Sequence, residues 1–285
     1  MTLNGPVAFV LSGGGKLAGA EIGMLMALSE AGIRPDLVVG SSAGALIGAV
    51  FAANRDDAGL TAVRAFWKEA LTAPELAWLA PNTVRRLVSP AARRRAHNRL
   101  RVLAGEYLGS RKFADLDTPF GCNAFDLVSG RQHWFAEGPV VPALLAATAA
   151  PGLMTLVRRR NAVYVDGGLV DPVPIGRALQ SGARTVYVLQ VTDFDRPLRL
   201  PEDLVRLGLI ETAARLRVLR QLESAGPGTT VLMLPLGRPI TSRGLNLVRR
   251  FAGVSAVSAV RENERHMWLA YKATAAYLRD ARISG

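Results

Sequence analysis

Ser42 stands in Gly40-Ser41-Ser42-Ala43-Gly44, between the apolar run Leu37-Val38-Val39 and the small apolar stretch Ala45-Leu46-Ile47-Gly48-Ala49-Val50-Phe51. A G-x-S-x-G pentapeptide at a strand-to-helix junction is where a nucleophilic serine needs to be. Gly40 and Gly44 lack a Cβ, so the strand and the helix flanking the sharp turn can pass close together. The turn lifts the Ser42 hydroxyl clear of the sheet edge and leaves the first N–H groups of the next helix unpaired. Upstream, Val7-Ala8-Phe9-Val10-Leu11 runs into Ser12-Gly13-Gly14-Gly15-Lys16-Leu17-Ala18-Gly19. Gly13, Gly14 and Gly15 at the end of a strand form an anion-binding nest of backbone N–H groups. Beside a serine nucleophile, such a nest is what the oxyanion of a tetrahedral intermediate requires.

The third feature is Val163-Tyr164-Val165-Asp166-Gly167-Gly168, a short β run ending in an acid. If the sheet is parallel, the carboxyl ends of its strands share one edge. Ser42, the glycine loop and Asp166 then converge, although 124 residues separate the serine from the aspartate. Only His97, His133 and His266 are available for a Ser-His-Asp triad. His97 lies in an arginine-rich stretch, His133 in a strand pattern, and His266 among charged residues of a long helical pattern. In the chain order serine, acid, histidine, His266 alone comes late enough. An aspartate working without histidine needs its basicity raised, and desolvation does that. A rival reading takes Gly13-x-Gly15-x-x-Ala18 as a dinucleotide fingerprint with Asp36 downstream. Asp36 precedes the second strand, however, and a ribose-binding acid follows it. A phosphate loop is also excluded, since Leu17 stands where the hydroxyl for Mg²⁺ belongs.

These residues need a framework of short buried strands alternating with helices. Ala20 to Ala31 carries Ile22, Leu25, Met26 and Leu28 on one side and stops at Gly32. The pattern predicts a three-layer α/β sandwich with a mostly parallel central sheet. Residues 1–285 read as one such domain. Within it, 71–112 breaks the α/β rhythm as a cap insertion, with Pro74, Trp78, Pro81 and Pro90 and then a basic helical run to about Leu108. From 201 to 285 the chain is mainly helical, with Glu202–Ser224 and Asn246–Arg282 flanking a strand at Thr229–Leu234. Leu204, Leu207, Leu216, Leu219 and Leu222 are expected in the core.

In this order the three segments resemble the patatin-like phospholipase family of lipid acyl hydrolases. The resemblance runs from about Val7 to Val191 and includes Ala124-Phe125-Asp126-Leu127, Ala149-Ala150-Pro151-Gly152 and Asp166-Gly167-Gly168-Leu169-Val170-Asp171-Pro172. It implies Ser42 as nucleophile, Asp166 as its only basic partner, Gly13, Gly14 and Gly15 as the oxyanion hole, and Gly40 and Gly44 as the elbow glycines. It also implies an acyl lipid or other ester as substrate, in phospholipase A or lysophospholipase fashion. The family usually carries Arg or Lys two residues after the third glycine. Here that position is Leu17, and the nearby cation is Lys16, one residue earlier. This departure keeps a catalytically silent lipid-binding relative open as an alternative, beside a nucleotide-binding oxidoreductase.

Composition bounds the rest. With 285 residues and 49% hydrophobic content, the chain can bury a large core. A single cysteine, Cys122, excludes an internal disulfide, and neither metal-ligand spacing nor a cofactor motif is expected. The N-terminus does not resemble a signal peptide, which predicts a cytoplasmic protein, peripheral to a membrane at most. Gly138 to Val157 is uncharged for 20 residues, but Pro139, Pro142 and Pro151 make it a buried helix plus loop. The net charge of +12 comes from 31 arginines and 4 lysines against 23 acids. No nucleic-acid module or aromatic interleaving accompanies the arginines. Arg85, Arg86, Arg93, Arg94 and Arg95 are therefore expected to meet anionic lipid headgroups.

Overall fold

The computed structural model describes residues 5–54, 56–76, 85–191, 205–237 and 256–283. Trp78, Pro81, Leu204, the Leu207 side chain and residues 246–255 of the expected elements lie outside what it describes. Among the described residues, eight strands form one sheet: β1 (Val7–Leu11), β2 (Leu37–Ser41), β3 (Phe120–Asp126), β4 (Arg131–Phe135), β5 (Val157–Arg159), β6 (Ala162–Asp166), β7 (Thr185–Leu189) and β8 (Thr230–Met233). The helices are α1 (Gly19–Glu30), α2 (Ala43–Ala52), α3 (Asp56–Thr72), α4 (Pro90–Leu108), α5 (Val140–Ala147), α6 (Ile175–Gln180), α7 (Val205–Glu223) and α8 (Ala256–Ile283). A short 3-10 turn, Gly15–Ala18, joins β1 to α1.

β1 is buried along its whole length because helices cover both faces, which is why it reads as an unbroken apolar run. Its alternate residues divide the core. Val7, Phe9 and Leu11 join Val38, Tyr187 and Leu189 in the larger cluster, under α1 to α5 and α8. Ala8 and Val10 join Val39, Val186 and Val188 in the smaller one, under Ile175 and Ala178 of α6 and Val218 of α7. The result is the three-layer α/β sandwich that the pattern predicts. Among the described side chains of α7, the stripe through Val218 and Leu222 meets the sheet. Leu216 and Leu219, expected in the core, are 51% and 55% exposed, since no element among the described residues lies against that side of the helix.

The pairing of β3 fixes the site. β2 runs parallel to it over residues 120–123, β6 runs antiparallel over 124–126, and β4 pairs with 122–126. A strand has two edges, and β4 overlaps both of the other partners. β2 and β6 must therefore share the remaining edge, meeting end to end. Ser41 pairs with Asn123 and Asp166 pairs with Ala124. The last residues of the two strands thus sit one position apart along β3. Asp166 does not arrive on a parallel strand, as expected from its β run. It comes from the opposite direction on a hairpin with β5.

Candidate active site

Ser42 caps α2 with φ 52° and ψ −121°, a region that non-glycine residues rarely adopt. Holding it there costs about 1–3 kcal/mol, which the surrounding packing must supply. The two glycines explain how. A Cβ on Gly40 would come within 2.5 Å of the Gly44 carbonyl oxygen, and one on Gly44 within 2.5 Å of the Ser12 carbonyl oxygen. The nearest atoms to a Cβ at these two positions are all backbone, so only glycine lets β2, α2 and the end of β1 cross so closely.

The Ser42 hydroxyl donates a 2.7 Å hydrogen bond to Asp166 Oδ2, and Asp166 Oδ1 accepts from the Gly168 N–H at 2.8 Å. Asp166 is 6% exposed. Burial pushes its carboxyl up to about 6, against the lowering effect of the two hydrogen bonds. That makes it a far better proton acceptor than a solvated aspartate, while it stays mostly ionised at neutral pH.

Gly13, Gly14 and Gly15 lie beside this pair but are not equivalent. The Gly13 N–H donates to the Pro172 carbonyl at 2.7 Å, so this donor is already committed. A Cβ built on Gly13 would lie 3.3 Å from Ser42 Cβ. The N–H groups of Gly14 and Gly15, and that of Ala43 at the start of α2, have no acceptor among the described residues. Gly15 has φ 54°, and a Cβ on Gly14 would collide with Val191. Beneath the loop, fully buried Glu21 accepts from both the N–H and the hydroxyl of Ser12, at 2.7 and 2.9 Å. Burial holds the Glu21 carboxyl well above the usual carboxylate range.

Residues that sequence reasoning gave no role hold the aspartate turn in place. The Asp171 carbonyl accepts from Ser41 Oγ at 2.9 Å and Asn123 Nδ2 at 3.0 Å. Its carboxylate accepts from Gln132 at 3.1 Å and Gln221 at 3.0 Å. The second acid in Asp-Gly-Gly-Leu-Val-Asp was the one visible signal. Its glutamine partners lie 39 and 50 residues away, on β4 and α7, and no local pattern marks them.

Lys16 turns toward α8. Its ammonium lies 3.9 Å from Glu262, and its carbonyl accepts from Asn263 at 2.7 Å. Leu17 packs against the larger core cluster. Asp36, which a dinucleotide site would require, accepts the Val7 N–H at 2.8 Å and so secures β1. None of the three histidines bonds to Ser42 or Asp166 among the described residues. His133 packs between the rings of Phe135 and Tyr164, 4.5 and 5.2 Å away. His97 on α4 and His266 on α8 are both shifted below the ordinary imidazole value, chiefly by burial.

The arginine cluster divides as well. Arg85, Arg94 and Arg95 are exposed, and Arg93 is half-buried. Arg86 is 2% exposed, so it cannot present its guanidinium to a lipid surface as expected. Among the described residues, no helix is long and apolar enough to cross a membrane.

The family model for patatin-like phospholipases matches residues 9–179, a span that takes in the glycine loop, Ser42 and Asp166. An uncharacterised NTE-family protein of Mycobacterium tuberculosis is 33% identical over 173 residues, which is 59% of this chain and 44% of that protein. A lysophospholipase of Emericella nidulans is 25% identical over 66% of this chain and 12% of its own length. This chain therefore spans less than half the length of these curated relatives. The crystal structure of VipD from Legionella pneumophila matches 96% of this chain and 67% of its own, with a TM-score of 0.52 at 12% identity, a likeness of fold. With more than half of its length matched by the family model, the chain belongs to the patatin-like phospholipase family.

Proposed function

We propose that the protein is a serine esterase of acyl lipids, of the phospholipase A or lysophospholipase type, working through Ser42 and Asp166. The observation that carries this reading is the direct 2.7 Å hydrogen bond from the strained serine to a desolvated carboxylate. Asp166 takes the hydroxyl proton as Ser42 Oγ attacks the ester carbonyl. The oxyanion that forms is received by the free N–H groups of Gly14, Gly15 and Ala43. Asp166 then returns the proton to the leaving alcohol, and a water repeats the cycle on the acyl-enzyme. Losing one oxyanion donor typically costs about 3–4 kcal/mol of barrier. In this account Gly13 acts by holding the loop to Pro172 rather than by donating to the oxyanion. The lysophospholipase among the relatives supports a lipid substrate, and the exposed Arg85, Arg94 and Arg95 support contact with an anionic membrane.

The test is a fluorophosphonate probe applied to the native chain and to Ser42→Ala. Labelling that disappears with the substitution supports the nucleophile. No Ser42-dependent label on folded protein supports a silent lipid-binding relative instead.

A further inference from the structure

The glycine loop is tied at its two ends and loosely held between them. Upstream, the Gly13 N–H is bonded to the Pro172 carbonyl, and Gly14 lies against Val191. Gly15 has no such neighbour. Its φ is 54°, and a Cβ built on it would meet nothing within 4 Å, so packing does not restrain it. Glycine is also the residue with the most conformational freedom. The direction of the Gly14 and Gly15 N–H groups therefore depends on where the chain is next held, at Lys16 and Leu17. The Leu17 N–H closes a turn onto the Gly14 carbonyl at 3.2 Å, but that bond lies within the loop itself. Among the described residues, the side-chain hydrogen bond that ties this end to another element runs from Asn263 Nδ2 to the Lys16 carbonyl, at 2.7 Å.

Asn263 comes from α8, outside the residues 9–179 matched by the family model. Two glycines let it arrive. A Cβ on Gly19 would collide with the Asn263 amide, and one on Gly23, a turn further along α1, with the Met267 carbonyl. With no side chain at either position, the two helices cross at close range, and the short Asn263 side chain spans the remaining gap to Lys16. Asn263 is 8% exposed, so its bond is made largely away from water. The neighbouring Lys16–Glu262 pair does less, since its groups are 3.9 Å apart and open to solvent.

We propose that Asn263 is a positioning residue for the oxyanion hole. By fixing the Lys16 carbonyl it sets the direction in which Gly14 and Gly15 present their N–H groups, so that α8 completes the catalytic site from outside the matched span. The assignment rests on the serine-esterase reading of Ser42 and Asp166.

The test compares Asn263→Ala and Asn263→Asp with the native chain on p-nitrophenyl butyrate, a small soluble ester. Both substitutions remove the donor to Lys16, and the second keeps the size of the side chain. A displacement of about 1 Å can cost roughly a hundredfold in rate, and Asn263 touches no reacting atom, so kcat should fall about ten- to a hundredfold. KM should stay within about twofold. The Ki of a short-chain trifluoromethyl ketone should rise by the same factor as kcat falls. Ser42 Oγ adds to its carbonyl, the proton passes to Asp166, and the negative oxygen lies where the oxyanion of the reaction does. The midpoint of the kcat/KM pH profile, set near 6 by Asp166, should not move in Asn263→Ala, because the base is untouched.

Leu278, buried 15 residues further along α8, supplies the control. Leu278→Ala opens a cavity under the same helix and should lower the urea midpoint while leaving kcat within about twofold. Native-like kcat and ketone affinity in Asn263→Ala overturn the proposal, whether or not Asn263→Asp folds. So does a kcat loss that Leu278→Ala reproduces, or a loss confined to KM. A native chain that neither turns over the ester nor takes a fluorophosphonate on Ser42 loses the hydrolase reading and the positioning role together. An active native chain with indifferent Asn263 variants loses the positioning role alone.

Discussion

Replacing Asp166 by Asn should move activity and stability in opposite directions. The amide cannot accept the Ser42 proton, so ester turnover should fall by several orders of magnitude. Both polar contacts survive the change, since the amide oxygen can accept from Gly168 and the amide nitrogen can donate to Ser42 Oγ. What disappears is the cost of burying a charge. Raising a carboxyl from 3.8 to about 6 disfavours the folded state by about 3 kcal/mol at neutral pH, at 1.36 kcal/mol per tenfold change. The sign follows from proton counting. Between about pH 4 and 6 the folded chain holds the Asp166 proton more tightly than the unfolded chain, so stability falls as pH rises through that window. Below pH 4 both states are protonated and the cost is absent, and above pH 6 it is complete. The Asn variant should therefore match the native chain near pH 4 and exceed it above pH 6, with a Tm rise of roughly 5–10 °C at neutral pH. Thermal melts across pH 4–8 read the stability gap. The native enzyme's kcat/KM should rise about tenfold per pH unit below 6 and level off above it. Turnover within tenfold of native in Asp166→Asn would refute the base assignment. A stability gap that does not widen between pH 4 and 6 would refute the desolvation argument.

The histidines should be dispensable for the chemistry. His97→Ala, His133→Ala and His266→Ala should each keep ester turnover within a few-fold, and a hundredfold loss in any one would restore a triad. Gly44→Ala places a Cβ 2.5 Å from the Ser12 carbonyl oxygen and 2.6 Å from that of Leu11, so urea melts should show a loss of roughly 1–3 kcal/mol or more, as overpacking against rigid neighbours does. Glu21→Gln keeps an oxygen for the Ser12 N–H and hydroxyl while removing a buried carboxyl held well above its usual range. It should raise stability at neutral pH. Glu21→Leu, which leaves the Ser12 hydroxyl without its acceptor, should lower both stability and kcat.

Local features were legible where the chain itself makes the structure. The elbow glycines, the glycine loop, the stop at Gly32 and the alternation of β1 all follow from residues within a few positions of one another. The approach of Asp166 was legible only in part. Its β run and the two glycines after it mark a strand ending in a turn, but nothing local tells a parallel strand from an antiparallel one. That choice is made by β3, whose edge is left free where β2 turns away at Ser42. The miss at Leu216 and Leu219 has a similar cause. Their spacing suits a buried helix stripe, yet among the described residues α7 packs on one sheet face and α6, which the stripe through Val218 and Leu222 already satisfies. Arg86 failed in the opposite direction. It reads as one more member of a solvated basic run, and the short helical stretch 85–88 before α4 buries it.

Two buried carboxylates, Asp166 and Asp171, lie five residues apart, and burial raises both. Elevated basicity alone therefore does not favour one of them as the proposed base. Their contacts distinguish them. Both oxygens of Asp171 are occupied by the side-chain amides of Gln132 and Gln221, fixed donors that give up no proton in the reaction. Asp166 spends one oxygen on the Gly168 N–H and turns the other to the hydroxyl of a strained serine. Meanwhile the backbone around Asp171 gathers the rest of the site. Its carbonyl takes Ser41 Oγ from the end of β2, and the neighbouring Pro172 carbonyl takes the Gly13 N–H from the glycine loop. One short segment thus sets the serine strand, the glycine loop and the aspartate in register. The proposed dyad would depend on that rigidity, because among the described residues no third side chain bonds to Asp166 to orient it.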